Sequence, residues 1–353
     1  MAYLRILVGV AISAGCIAAL LSQINLGLAW TALTRADPLW LLAALAILGV
    51  TMFTKVYRWG LLYYPTTGLR LRNLTAALFI GYMVLSLVPM RLGELVRAYL
   101  IGKTEPVSFP QSIGTILVEK VLDVATILVF LAGLAVFGLL PPLAVPGPAL
   151  AALGLLPLAG LVALAAVPHP MILALLARAQ LHLPGTRRWN LVTLVGPFLD
   201  ALAVLRYRRL LPALVFWSAA NWGLSALVNY AAMRAFDLPV PVAAAVFQMV
   251  VTNLGMVVPS APGYVGVFEG LSVFAVTAYG LDANRALGYA LALHTIVYGA
   301  FIAVGLWFVW RGGYRWGDLW PGQRAGEAAS ETDDATARAP ELVAVSAPPD
   351  GSR

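Results

Sequence analysis

The sequence predicts an all-α integral membrane protein, built from about six full transmembrane helices and two re-entrant helical hairpins. Three observations carry this reading. The chain of 353 residues is 61% hydrophobic and only 11% charged, which is more apolar surface than a soluble core of that length hides. Stretches 39–53 and 124–140 are uncharged runs of bilayer-spanning character. Lys and Arg gather in a few linkers, the bias of cytoplasmic loops.

The elements follow in order. The first apolar stretch, 4–24, has one basic residue, Arg5, and no small-residue cleavage site, so it reads as a retained helix rather than a signal peptide. The second, 39–57, returns to a basic linker at 55–72 that holds Lys55, Arg58, Arg70 and Arg72. A full span at 112–140 ends at the uncharged linker 141–148, which reads as external. The segment between, 73–88, rises only ~24 Å as a helix, short of a ~30 Å hydrocarbon core. A complete crossing there would also leave Lys103 on the wrong side. The segment therefore reads as a hairpin that enters from the cytoplasm, breaks between Pro89 and Gly93, and returns as a short helix, 94–103.

The same pattern recurs with opposite orientation. Spans at 148–167 and 210–233 bracket a second basic linker with Arg178, Arg187, Arg188, Arg206, Arg208 and Arg209. Within it, 171–183 and 190–206 are amphipathic and read as lying on the inner surface. From the outer side, 242–258 enters and meets Pro259, Pro262, Gly263 and Gly266, which break it. A short helix from Tyr264 through Tyr279 leads back out. The last span, 286–310, ends inside at Arg311, so both termini are cytoplasmic. Residues 1–315 form one polytopic membrane domain. The stretch 316–353, rich in Ala, Ser, Asp, Glu and Pro, reads as a disordered cytoplasmic tail.

The net charge of +7 is accounted for by these linkers and implies no nucleic-acid partner. The single cysteine, Cys16, excludes an intrachain disulfide and a cysteine metal site. No metal or cofactor is expected.

The two breaks share a pattern. "LVPMRLGE" and "VVPSAPGYVGVFE" each carry Val-Pro, then glycine, then glutamate. Opening from opposite faces, they read as inverted repeats with a binding site near the midplane, where irregular backbone borders protein or water. Two unrelated Pro-Gly breaks are the alternative.

The charges inside apolar segments are the candidate substrate-binding or translocation residues: Arg91, Glu94, Arg97, Glu119, Asp123 and Glu269. A charge at a helix centre costs roughly 2.5–3.5 kcal/mol, so four unpaired carboxylates would cost on the order of 10 kcal/mol. Arg91, Arg97 and Lys120 are the basic partners at similar depth. Glu119 and Asp123 stand four residues apart, and like charges at that spacing require a cation between them or a raised pKa. A structural reading stands beside the functional one. Glu94 and Glu269 each fall in the first turn of a half-helix, where a carboxylate caps free N–H groups. The cations would then staple the hairpins to the bundle. Both return helices point their N-termini toward the midplane, so Arg91 and Arg97 make the site mildly electropositive and suited to phosphate. Glu94 would orient the arginines. His294, one turn before Tyr298, reads as a hydrogen-bonded packing residue rather than a proton relay, and Asn221, Asn229, Gln248 and Asn253 as interhelical hydrogen-bonders. Trp40, Trp59, Trp307 and Trp310 read as interfacial anchors.

"VPMRLGELVRAYL", then "VEKVLD" at 118–123, then "PSAPGYVGVFE", in this order, resemble the lysylphosphatidylglycerol synthase transmembrane, or flippase-like, family. The resemblance covers most of residues 1–315. One departure is Lys120, where the family pattern supplies an arginine and its planar fork. The synthases also carry a large soluble aminoacyl-transferase domain, and this chain ends about 40 residues after its last apolar span. The resemblance therefore implies the lipid-translocating half alone, in the plasma membrane, with a membrane lipid as substrate and a separate lipid-modifying enzyme as partner.

Three functions remain open on the residues alone. A lipid translocator moves a polar, phosphate-bearing head group. An ion- or proton-coupled solute transporter uses the same architecture. An integral-membrane enzyme acting on a lipid phosphate is opposed by the lack of clustered histidines, of an Asp-x-Asp pair and of an activated serine. No oligomeric state follows from the sequence.

Overall fold

The computed structural model describes residues 34–88, 92–142, 207–257 and 260–314, with positions 31, 171, 178 and 204. The expected helix at 4–24, the span at 148–167, all but positions 171, 178 and 204 of the two amphipathic stretches, and the tail lie outside these residues, as do Pro89, Arg91 and Pro259. The chain divides into a first unit, Met1–Phe308, and a second, Val309–Arg353. Of the second unit, 309–314 hold the last helical turn and a reversal in which Tyr314 N–H donates to the Val309 carbonyl.

Eight α-helices and no strands are present among the described residues. In chain order they are α1 (Pro38–Leu61), α2 (Leu71–Leu87), α3 (Leu92–Thr104), α4 (Phe109–Val136), α5 (Leu211–Ala235), α6 (Val242–Gly255), α7 (Val267–Thr277) and α8 (Ala283–Gly312). A 3-10 turn, Pro262–Tyr264, separates α6 from α7.

Local chemistry sets the ends. Asp37 caps α1 by accepting from Leu39 N–H at 2.8 Å, with Pro38 at the first helical position. Ser108 caps α4 in the same way from Gln111 N–H at 3.2 Å. Val88 is extended (φ −121°, ψ 134°) at the end of α2, as the residue before a proline must be. Thus α2 stops at 17 residues and α6 at 14.

α1, α5 and α8, at 24, 25 and 30 residues, are long and apolar enough to cross a membrane. α4 is longer than α1 at 28 residues but carries Glu119, Lys120 and Asp123 in its middle. Large apolar side chains such as Phe53, Val215 and Phe216 face outward. That pattern is stable in lipid and unfavourable in water.

α1 and α5 lie against each other in opposite directions. Asp37 N–H, before α1, donates to the Ala235 carbonyl at the end of α5. Arg58, near the end of α1, reaches Ser218 near the start of α5 at 3.0 Å. α2 and α3 form a tight pair, with Asn73 bonded to Glu105 at 2.6 Å across their outer ends. At the inner end the backbones nearly touch. A Cβ on Gly93 would stand 2.7 Å from Leu85 N and overlap the Gly81 carbonyl. α6 and α7 form a second pair. The 3-10 turn between them seats against α2, where Gly263 would place a Cβ 3.1 Å from the Ser86 carbonyl. α8 crosses α2 through stacked Tyr82 and Phe301, 4.7 Å between centroids.

The all-helical class and the interruptions after α2 and α6 agree with this arrangement, and several helix boundaries move. α1 runs to Leu61 rather than 57, and the helix after the first break is 92–104 rather than 94–103. The helix after the second break begins at Val267, not Tyr264, because Gly263, Tyr264 and Gly266 all have left-handed φ.

The Gly81–Gly93 contact predicts a sharp contrast. Gly93→Ala should destabilise the purified protein by about 1–3 kcal/mol or more through overpacking against backbone. Gly133→Ala, with open space around its Cβ, should be neutral or gain up to ~1 kcal/mol. Thermal midpoints in detergent would decide. Equal midpoints for the two variants would contradict the close approach.

Candidate functional site

The site grows from one turn of α4. Glu119 and Asp123 are 0% and 6% exposed, and their i,i+4 spacing puts both carboxylates on the same face. Two helices meet them with cations, and a third with an indole donor. From α1, Arg58 donates to Asp123 at 2.5 Å and lies 3.8 Å from Glu119. From α3, Arg97 donates to Glu119 at 2.5 Å. Its guanidinium lies 3.6 Å over the Trp59 ring, and Trp59 in turn donates to Thr115 at 3.2 Å. From α5, Trp222 adds a second donor to Asp123 at 3.0 Å. Lys55 stands 3.9 Å from both carboxylates, beyond hydrogen-bond length. Its ammonium lies 5.3 Å from the Tyr82 ring and 5.8 Å from the Trp222 ring.

Lys120 turns the other way. It pairs with Glu94 of α3 at 2.8 Å, and this pair is the more open, with side chains 38% and 27% exposed. Among the described residues, the cluster and the neighbouring Lys120–Glu94 pair together hold four cations (Lys55, Arg58, Arg97, Lys120) against three carboxylates (Glu94, Glu119, Asp123), an excess of one positive charge.

Beside the network lies a cavity of about 340 Å³, within the size range of small-ligand sites. Lys55, Glu94, Lys120 and Asp123 face it from one side. Asn221, Ser225 and Asn229 of α5 with Gln248, Thr252 and Asn253 of α6 face it from the other. Both broken helix pairs contribute walls: Tyr82, Ser86 and Glu94 from the first, and Gln248, Tyr264 and Phe268 from the second.

The second break forms a separate polar node. Glu269 Oε2 accepts from Gly266 N–H at 2.7 Å, capping α7. Gly266 (φ 84°) has no side chain to return the bond, so only half of a capping box is possible. Glu269 Oε1 lies 2.5 Å from His294 Nδ1. The His294 ring packs on Phe268 and Tyr298, at 5.0 and 4.3 Å between centroids.

Of the predicted residues, Glu94, Arg97, Glu119 and Asp123 come together, and Glu269 sits apart at its own node. Arg91 lies outside the described residues. Three expectations change. Glu94 pairs with Lys120, not with the arginines, because Arg97 is drawn into Glu119. Lys55 and Arg58, read as loop charges, lie inside α1 and are buried. Trp59, read as an interfacial anchor, is fully buried under Arg97. His294 is hydrogen-bonded and packed as expected, with Glu269 as its partner. The missed signal was spacing. Lys55, Arg58 and Trp59 continue the helical period of α1, and only the assumption that a charge ends a span hid them.

The family description "Lysylphosphatidylglycerol synthase TM region" matches residues 6–305. The chain belongs to this family. No curated protein matches the chain. The match takes in every residue of the ion network and both broken pairs. A membrane protein with a lipid-related role fits that membership.

The network predicts unequal costs for its two kinds of ion pair. Asp123→Asn leaves Arg58 without its nearest counter-ion and should cost about 3–5 kcal/mol. Glu94→Gln, in the open pair with Lys120, should cost less than about 1 kcal/mol. Unfolding midpoints in detergent measure both. Comparable losses would contradict the division into a buried and an open part.

Proposed function

We propose that the protein is a lipid translocator. A polar, phosphate-bearing head group passes through the cavity between the α2–α3 and α6–α7 pairs while the acyl chains stay in the bilayer. The observation that carries this reading is the cavity itself, walled by both broken pairs and faced by two lysines, Lys55 and Lys120. An ammonium in a low-dielectric site binds phosphate oxygens with charge-assisted hydrogen bonds. The open Lys120–Glu94 pair is suited to exchange partners, since a phosphate takes the place of the Glu94 carboxylate at Lys120. Arg97, first expected to meet the phosphate, is engaged by Glu119 and positions the wall instead.

The short helices support the same reading. α2 and α6 rise about 26 and 21 Å, less than the ~30 Å core. Each is followed at once by a break and a second helix packed against it. We read these pairs as re-entrant, opening to opposite faces within six full spans, with both termini cytoplasmic and the protein in the plasma membrane. Alternating exposure of a midplane site then requires only movement of one pair against the other. The lipid leaves chemically unchanged, so the protein is no enzyme, and head-group chemistry falls to a separate one. The Glu269–His294 contact at the second break favours proton coupling as the driving force.

Reconstitution in liposomes with a leaflet-reporting phospholipid tests the reading. Lys120→Gln should insert and fold normally yet slow transport about tenfold, equivalent to ~1.4 kcal/mol of lost phosphate contact. Unchanged transport in this variant would overturn the phosphate path.

A further inference from the structure

The cavity has two chemically different walls. α1, α3 and α4 present charge, whereas α5 and α6 present neutral amides and hydroxyls. On the neutral wall the donors are engaged within the protein. Asn229 Nδ2 donates to Gln248 Oε1, Gln248 Nε2 donates to Ser272 at 3.0 Å, and Asn253 Nδ2 donates to the Met249 carbonyl at 2.9 Å. The side-chain oxygens of Asn221, Asn229 and Asn253 remain, while that of Gln248 is taken by Asn229. Asn221 is 2% exposed and its Oδ1 accepts no hydrogen bond, a state that buried acceptors rarely keep without a ligand or water. A wall of amide acceptors calls for a ligand that donates, either a hydroxyl or an ammonium.

Charge decides between them. Among the described residues, the charged wall and its ion pairs carry one positive charge in excess. The carboxylate of Glu269 is turned onto Gly266 N–H and His294 and does not face the cavity. A phosphodiester brings a single negative charge and balances the network. A zwitterionic head group adds an ammonium and leaves the excess in place. A terminal phosphate, at about −1.5 to −2, overshoots it. An unbalanced charge in this environment is disfavoured in either direction.

We propose that the cavity takes a phosphodiester lipid whose head group ends in a neutral polyol or sugar. The phosphate rests on Lys55 and Lys120, and the hydroxyls donate to Asn221, Asn229 and Asn253. This rests on the translocator reading and goes beyond it by naming the head group.

The test is transport by the full chain in liposomes with four matched probes. These are phosphatidylinositol, an isoprenoid bearing a sugar through one phosphate, phosphatidic acid and phosphatidylethanolamine. At least one of the two hydroxylated phosphodiesters should move about tenfold or more faster than the other two lipids. Which of the pair moves identifies the anchor. Asn253→Leu should bring that preference close to unity. Soluble glycerophosphoinositol should raise the thermal midpoint of the wild type and not of Asn253→Leu, a reading that does not depend on transport. Phosphatidylethanolamine or phosphatidic acid moving as fast as the hydroxylated lipids would overturn the head-group assignment and leave the translocator standing. An unaltered preference in Asn253→Leu would overturn it too. No movement of any lipid, with no midpoint shift, would overturn both readings.

Discussion

Two carboxylates one turn apart in the middle of α4 cannot remain charged inside an apolar bundle without cations close by. Desolvation of each costs several kcal/mol, and the repulsion between them adds to it. Arg58 from α1 and Arg97 from α3 answer that demand at 2.5 Å each, with Lys55 between the two carboxylates. Satisfying Glu119 and Asp123 therefore draws three helices into one arrangement. Arg97 brings the helix after the first break against α4. Arg58 brings α1, and with it α5 through Ser218. The bundle around the cavity is a consequence of this electrostatic requirement as much as of apolar packing.

Two backbone devices complete the arrangement. Glycines at 81 and 93 let α2 and α3 meet closely enough for Arg97 and Glu94 to face α4 from the same helix. At the second break, left-handed Gly263, Tyr264 and Gly266 turn the chain where the 3-10 turn seats against α2, and α7 follows with its first turn capped by Glu269. The breaks thus approach each other, Gly263 beside Ser86, and the space left between them is the cavity. Its charged wall is the exposed edge of the ion network. Glu94 and Lys120 join the stable part of the site to the part that is open to a ligand.

Much of this was legible in the sequence. Apolar length and charge distribution announced the membrane class, and Pro-Gly clusters announced both breaks. The i,i+4 carboxylates announced a cation between them, but not which one. Arg97 is only 22 positions from Glu119, and motif proximity made it a candidate. Arg58 is 65 positions from Asp123 and was hidden at the end of an apolar run, where a basic residue ordinarily marks the water boundary. Trp59 was misread for the same reason. Its indole continues the helical period of α1, and which guanidinium covers it is a long-range contact that the period does not name. The role of His294 depends on α8 passing beside the start of α7, which loop lengths do not reveal.

The central claim is that this interior cavity, rather than the outer apolar face, receives the lipid head group. Photocrosslinking with a phospholipid that carries its reactive group at the phosphate end, followed by mass-spectrometric mapping, tests it most directly. The account predicts adducts on α1 and α4 around Lys55 and Lys120, competed by unlabelled lipid and lost in Lys120→Gln. Adducts confined to outward residues such as Phe53, Val215 and Phe216, with none inside, would contradict it.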